Sequence, residues 1–80
     1  MHGANINEKD NNGSNALQFA ANYNSKEVAE LLISHSANVN EKDNNGCSAL
    51  SFAAIRNNKE TAELLIKYGA NINDTPYTFS

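Results

Sequence analysis

The chain has 80 residues, with six Lys and Arg against nine Asp and Glu, which gives a net charge of −3. This length allows at most one domain, and the acidic balance argues against binding to the phosphates of a nucleic acid. There is no apolar run long enough to span a membrane, no N-terminal signal pattern and one cysteine. We therefore expect an intracellular, cytoplasmic protein without membrane insertion or internal disulfides.

The sequence repeats with a period of 33 residues. Of the 33 positions in 10–42, 20 are identical in 43–75. A period of this length is typical of arrays in which stacked units share one continuous core. We expect a single domain, 1–80, made of four segments: the end of a partial repeat (1–9), two full repeats (10–42 and 43–75) and a divergent C-terminal tail (76–80).

The order of polar and apolar residues within the first repeat predicts two short helices and a loop. Asn15 is suited to cap the first helix, with Gln18 three residues on as its capping-box partner. Asn24 can adopt the left-handed conformation that ends a helix, and Ser25 can cap the next helix. The turn-rich segment 37–46 then predicts a projecting, hairpin-like finger.

Neither predicted helix is long enough to be stable alone in water, so each repeat needs a neighbour. The small residues Ala20 and Ala21 would allow two helices to approach closely. We expect Leu17, Leu31 and Leu32 to fill the space between them.

The run from Asp10 to Ala21, followed by Leu31-Leu32 and Ala37-Asn38-Val39-Asn40, resembles the ankyrin repeat. The resemblance covers about residues 2–75. It implies an all-α solenoid of stacked helix-turn-helix pairs, with the hairpin-like fingers projecting at right angles. It also implies binding to other proteins and no shared catalytic activity.

The departures from the ankyrin pattern lead to further expectations. The family usually begins its first helix with Thr-Pro-Leu-His, and the Thr–His hydrogen bond ties neighbouring repeats together. Here Gln18 and Ser51 stand at the His position; we expect Gln18 to replace part of that bond and Ser51 to be too short. The glycine after the second helix is Gly69 in one copy but Ser36 in the other, so we expect Ser36 to be left-handed and strained.

The resemblance leads to one function and one alternative. We expect a protein-interaction module that binds a protein partner through its concave surface of inner helices and finger tips. The candidate binding residues are finger-tip asparagines and positions at which the two copies differ, and several of them are of types favoured at interfaces. They are Asn11, Asn12, Ser14, Asn22, Tyr23, Asn44, Asn45, Cys47, Ile55, Arg56 and Tyr68. The alternative is a self-assembling structural unit, or a fragment of a longer array, that associates through uncapped repeat ends.

The sequence gives no support for a catalytic, metal or cofactor site. It has no nucleophile–base set and no phosphate-binding glycine loop, so we expect neither an enzyme nor a cofactor. His2 and His35 occupy the same repeat position in neighbouring layers, which is too far apart for one zinc ion. We expect Cys47 to be a small filler beside a turn rather than a reactive thiol.

Asparagine is abundant, with 15 of 80 residues, and its recurrence at equivalent positions favours turn and cap roles. Asn40 and Asn73 are also similar in position to ankyrin asparagines that an oxygenase hydroxylates, although the acidic residue expected two positions earlier is absent. For the tail, two alternatives stay open, since Tyr77 and Phe79 could cover the last helix pair or form a loose end.

Overall fold

The computed structural model describes residues 6–72, and within that range the chain forms four α-helices and no strand. The helices are α1 (Ala16–Asn22), α2 (Lys26–Ser34), α3 (Ala49–Ile55) and α4 (Lys59–Lys67). The second pair repeats the first at a spacing of 33 residues, which confirms the predicted all-α repeat architecture. None of these helices is long and apolar enough to cross a membrane.

Several predictions fall outside the described residues. They concern the tail 76–80 with Tyr77 and Phe79, and the side chains of His2 and Asn73. These stay predictions.

The first helix of each repeat begins with a capping box, and the one formed by Asn15 and Gln18 was predicted. The Asn15 side chain accepts a hydrogen bond from the Gln18 backbone N–H at 3.0 Å, and the Asn15 N–H donates to Gln18 Oε1 at 3.1 Å. Ser48 and Ser51 form the same reciprocal arrangement at the start of α3. Ser25 occupies the N-cap position of α2 as predicted, but its side chain makes no capping hydrogen bond.

The helix ends have the predicted left-handed conformation. Asn24 and Asn57, which follow the first helix of each repeat, have φ values of 56° and 60°. Ser36 follows α2 with a φ of 76°, and Gly69 follows α4 with a φ of 96°. The φ of 76° confirms the prediction of a left-handed Ser36. Residues other than glycine are disfavoured at such φ values.

The helices form two layers with the core between them. α1 packs against α3 in one layer, α2 packs against α4 in the other, and each repeat joins the layers through its own helix pair. The core consists of leucines and small residues, so the helices lie close together. Its fully buried members include Leu17, Ala21, Ala29, Leu50 and Leu65.

The prediction that Leu31 fills the space between the helices is wrong. Leu31 is 57% exposed, whereas Leu17 is buried and Leu32 is partly buried as expected. The equivalent residue of the second repeat, Leu64, is only 5% exposed, and α2 packs against its helix. This helix face is therefore covered by the preceding repeat, not by the partner helix of the same repeat.

Hydrogen bonds from side chains tie the two repeats together. Gln18 Nε2 donates to the carbonyl oxygen of Glu41 at 2.8 Å and to that of Cys47 at 3.4 Å, and the second of these bonds links Gln18 to the neighbouring repeat as expected. Asn58 Nδ2 donates to the carbonyl oxygen of Ala21 at 2.7 Å. Ser51, by contrast, accepts a hydrogen bond locally, from the Ser48 N–H. Among residues 6–72, no buried side-chain nitrogen or oxygen lacks a partner.

Successive fingers are joined by an asparagine ladder and one ion pair. The Asn7 side chain accepts from the Asn38 N–H at 2.9 Å, and the Asn40 side chain accepts from the Asn71 N–H at 2.7 Å. The Lys9 ammonium pairs with the Glu41 carboxylate. The recurring asparagines at these positions thus have a structural role.

Candidate protein-interaction surface

The layer formed by α1 and α3 faces the fingers. Residues 8–10 of the first finger and residues 14–16 at the start of α1 line one shallow, open groove, together with Phe19. We call the surface made of the fingers and the outward side of α1 and α3 the inner surface. The layer of α2 and α4 is the outer layer.

The structure joins Asn44 of the second finger tip to Asn11 and Asn12 of the first. The Asn44 N–H donates to the carbonyl oxygen of Asn12 at 3.0 Å, and Asn44 Nδ2 donates to that of Asn11 at 3.2 Å. Within the second tip, the Asp43 carboxylate accepts from the N–H groups of Asn45 and Cys47 at 2.9 and 2.8 Å. Asp10 accepts in the same way within the first tip, so both tips are held in a fixed shape.

The two fingers are in very close contact where Gly13 meets Asn44. A Cβ atom added to Gly13 would lie 2.5 Å from Asn44 Oδ1, and Gly13 also has a φ of 77°. The equivalent Gly46, with a φ of 81°, has no atom within 4 Å of such a Cβ. Glycine is therefore required at position 13 for both space and backbone conformation.

A second group of predicted residues meets at the ends of α1 and α3. Arg56 Nε donates to Asn22 Oδ1 at 2.8 Å, which connects the two helices. Tyr23 is 72% exposed, and Ile55 is about half exposed. An aromatic, an aliphatic and a cationic side chain are thus exposed at the C-terminal ends of α1 and α3, which the Arg56–Asn22 hydrogen bond joins.

Sequence comparison between the two copies missed two phenylalanines of this surface. Phe19 and Phe52, with Ser14, Gln18 and Asn22, line a pocket of about 70 Å³ between α1 and α3. Phe19 is half exposed. Choosing positions at which the copies differ excludes these residues, because both copies carry Phe there. The spacing of Phe19 and Tyr23 could have indicated Phe19 as a surface residue, because residues four apart share one helix face.

Tyr68 belongs to the outer layer. It is the C-terminal cap of α4, and its ring is in contact with the Lys67 ammonium, 5.6 Å from the ring centre. Tyr68 is thus a predicted binding residue that lies in the outer layer and not on the inner surface.

Cys47 lies half-buried at the base of the second finger tip. Partial burial raises the pKa of its thiol, and the nearby Asp43 carboxylate raises it further. The thiolate, which is the reactive form, is therefore disfavoured near neutral pH. Within the described part of the chain, no group of three or more His, Cys, Asp and Glu residues could hold a metal ion.

Comparison with known proteins agrees with this architecture. The family model described as "Ankyrin repeats (3 copies)" matches residues 1–76, nearly the full length of the chain. No curated protein matches the sequence significantly. With four helices in two stacked pairs and a family match over almost all of its residues, the chain belongs to the ankyrin repeat family.

Proposed function

We propose that this chain binds a protein partner through its inner surface. Ankyrin repeats are generally protein-interaction modules and are typically non-catalytic. The observation that carries the proposal is the exposure of Phe19 on α1 and of Tyr23 and Arg56 at the C-terminal ends of α1 and α3. Aromatic and arginine side chains contribute most strongly when they become buried in an interface.

The surface is held in place before any partner arrives. The Asn22 carboxamide orients Arg56, and hydrogen bonds from Asn44 to the first finger fix the tips relative to each other. A surface that is already ordered loses less conformational entropy on binding. This supports binding by display of side chains on a rigid frame.

The chemistry of the surface favours a partner segment with an apolar residue close to an acidic one. The pocket between Phe19 and Phe52 is small and mainly apolar, so it suits part of an aliphatic or aromatic side chain. Arg56 uses its Nε for Asn22, and its terminal nitrogens remain as donors for a carboxylate. The two features lie on adjoining parts of α1 and α3 and can be engaged by one segment.

A binding measurement with a matched control tests the proposal. A photoreactive amino acid at position 23 would first capture the partner, and calorimetry would then give the Kd of the purified pair. We expect the double variant Tyr23→Ala/Arg56→Ala to bind about tenfold more weakly or worse. The control Tyr68→Ala/Lys67→Ala removes one aromatic and one cationic side chain from the outer layer and should leave the Kd within about twofold.

Two results would contradict the proposal. One is an unchanged Kd for the inner-surface variant while its circular dichroism spectrum shows an intact fold. The other is a larger loss of affinity for the outer-layer control, which would place the interface on α4.

A further inference from the structure

The outer helix of the first repeat exposes an apolar face that the second repeat buries. Val28 is 50% exposed, whereas the equivalent Thr61 is fully buried, and Leu31 and Leu64 differ in the same way. On the inner helix, Ala16 is exposed although the equivalent Ala49 is buried. We call the surface formed by Ala16, Val28 and Leu31 the leading face.

The second repeat exposes a matching face on its opposite side. Ala54, Ala62 and Ile66 line a groove of about 300 Å³ there, and Ile66 is 44% exposed. Ala21, the equivalent of the partly buried Ala54, is fully buried in the first repeat, whereas Ala62 is buried as its equivalent Ala29 is. We call the surface of Ala54, Ala62 and Ile66 the trailing face.

We propose that the leading face of one copy of this chain packs on the trailing face of a second copy, head to tail. The contact between the two repeats of a single chain is the template. There, the trailing side of α1 and α2 covers the leading side of α3 and α4, which leaves Leu64 and Thr61 buried. Because the repeats are so similar in sequence, each copy presents both halves of this same contact at its two ends.

The charges along this junction are compatible with stacking. Within the chain, Lys26 and Glu30 of α2 line one groove with Glu60, Glu63 and Lys67 of α4. Shifting by one repeat places Lys59 and Glu63 of one copy beside Glu27, Glu30 and Ser34 of the next, so the junction between copies keeps one of the two lysines of the template. Both signs are present on the trailing side, so the acidic residues of the incoming copy meet a lysine as well as a glutamate.

Several differences from the template make the contact between copies weaker than the one within a chain. The incoming copy has Ser25 and Val28 in place of Asn58 and Thr61, which removes the Asn58 amide that donates to Ala21 and the Thr61 hydroxyl that donates to Asn24. The hydrogen bonds from Gln18 to Cys47 and from Arg56 to Asn22 also have no equivalent, because the receiving copy has Ser51 and Ile55 and the incoming copy has Tyr23 at those positions. Ile6 of the incoming copy and Ile72 of the receiving copy stand at the same repeat position and would also occupy the same place in the stack. One of the two must give way to the other.

Such a contact is heterologous: it uses two different faces, so it does not close on itself and produces chains of growing length. It also lies at the ends of the stack and leaves the inner surface accessible. The inference therefore goes beyond the proposed partner binding and does not depend on it.

Sedimentation equilibrium of the 80-residue chain tests the stacking. We expect the average mass to rise above that of a monomer between about 10 µM and about 1 mM protein, as mass action requires. Leu31→Glu should block the leading face and Ile66→Glu the trailing face, and each variant alone should stay monomeric. Both side chains are about half exposed, so the substitutions should leave the fold intact.

Mixing the two variants gives the decisive observation. Each variant keeps one intact face, so an equimolar mixture should form a one-to-one dimer and nothing larger. Val28→Glu should behave like Leu31→Glu, and Tyr23→Ala, which alters the inner surface, should associate like the unmodified chain. A chain that is monomeric over the whole range, variants that still associate alone, or a mixture that remains monomeric would each overturn the inference.

Discussion

Replacing Ser36 with glycine should make the protein more stable. Ser36 has a φ of 76°, and a non-glycine residue in the left-handed region is disfavoured by roughly 1–2 kcal/mol. Glycine also makes the unfolded chain more flexible, which offsets about 0.5–1 kcal/mol of the gain. Ser36 is exposed, and its described hydrogen bond comes from the backbone N–H to Ile33, so no side-chain contact is lost. The net expectation is a stabilisation of about 0.5–1 kcal/mol.

Urea unfolding followed by far-UV circular dichroism measures this difference. With a slope of about 1 kcal/mol per molar urea, the midpoint should rise by about 0.5–1 M at an unchanged slope. The chain offers its own reverse experiment, because Gly69 has a φ of 96° at the equivalent position and open space around it. Gly69→Ser should therefore lower the midpoint by a similar amount.

The reasoning is refuted if the Ser36→Gly midpoint stays the same or falls. It is also refuted if Gly69→Ser is as stable as the unmodified chain, because the two changes have the same physical basis. The double exchange of Ser and Gly between positions 36 and 69 should come out close to neutral, since the two sites lie in different repeats and their effects should add.

Three other predictions follow from the contacts of single side chains. Gln18→Ala should lower the free energy of unfolding by about 2 kcal/mol, since the buried hydrogen-bond partners of Gln18 are left unpaired. Gln18→Ser should lower it less, because a hydroxyl can keep the capping hydrogen bond. Equal losses of the two variants in urea unfolding would contradict this. Gly13→Ala should be about 1 kcal/mol or more worse than Gly46→Ala, because both suffer the backbone strain but only the first meets another finger; matching midpoints would rule out the close contact. Cys47 should react with a thiol reagent more slowly than a small free thiol at neutral pH, and Asp43→Asn should lower the thiol pKa and speed the reaction; a slower variant would show that the carboxylate does not act through its charge.

Much of the fold could be predicted from the sequence, because the determining interactions are local or recur in both copies. The capping box of Asn15 and Gln18 depends on residues three apart, and the left-handed Ser36 is revealed by the glycine at the same place in the other copy. Leu31 could not be predicted in this way. Its burial depends on which repeat precedes it, and comparing two copies of a sequence treats their different surroundings as the same.

The inner surface was only partly predictable for a related reason. Differences between the copies indicate positions that the frame leaves variable, which led to Tyr23 and Arg56. Such differences cannot indicate a surface position at which both copies carry the same residue, and Phe19 and Phe52 are a pair of this kind. The hydrogen bond from Arg56 to Asn22 could not be predicted either. Comparison of the two copies aligns Arg56 with Tyr23 and Asn22 with Ile55, so it never pairs Arg56 with Asn22.

The hydrogen bonds between the repeats have a consequence for how the chain folds. They join residues at similar sequence separations, such as 33 for Asn11 and Asn44 and 37 for Asn24 and Thr61. Ordering therefore never requires the closure of a loop much longer than one repeat, which keeps the entropic barrier to folding low. Folding can start at the junction of the two helix pairs and spread outward, and each added repeat would change the stability by a fixed increment without slowing that first step.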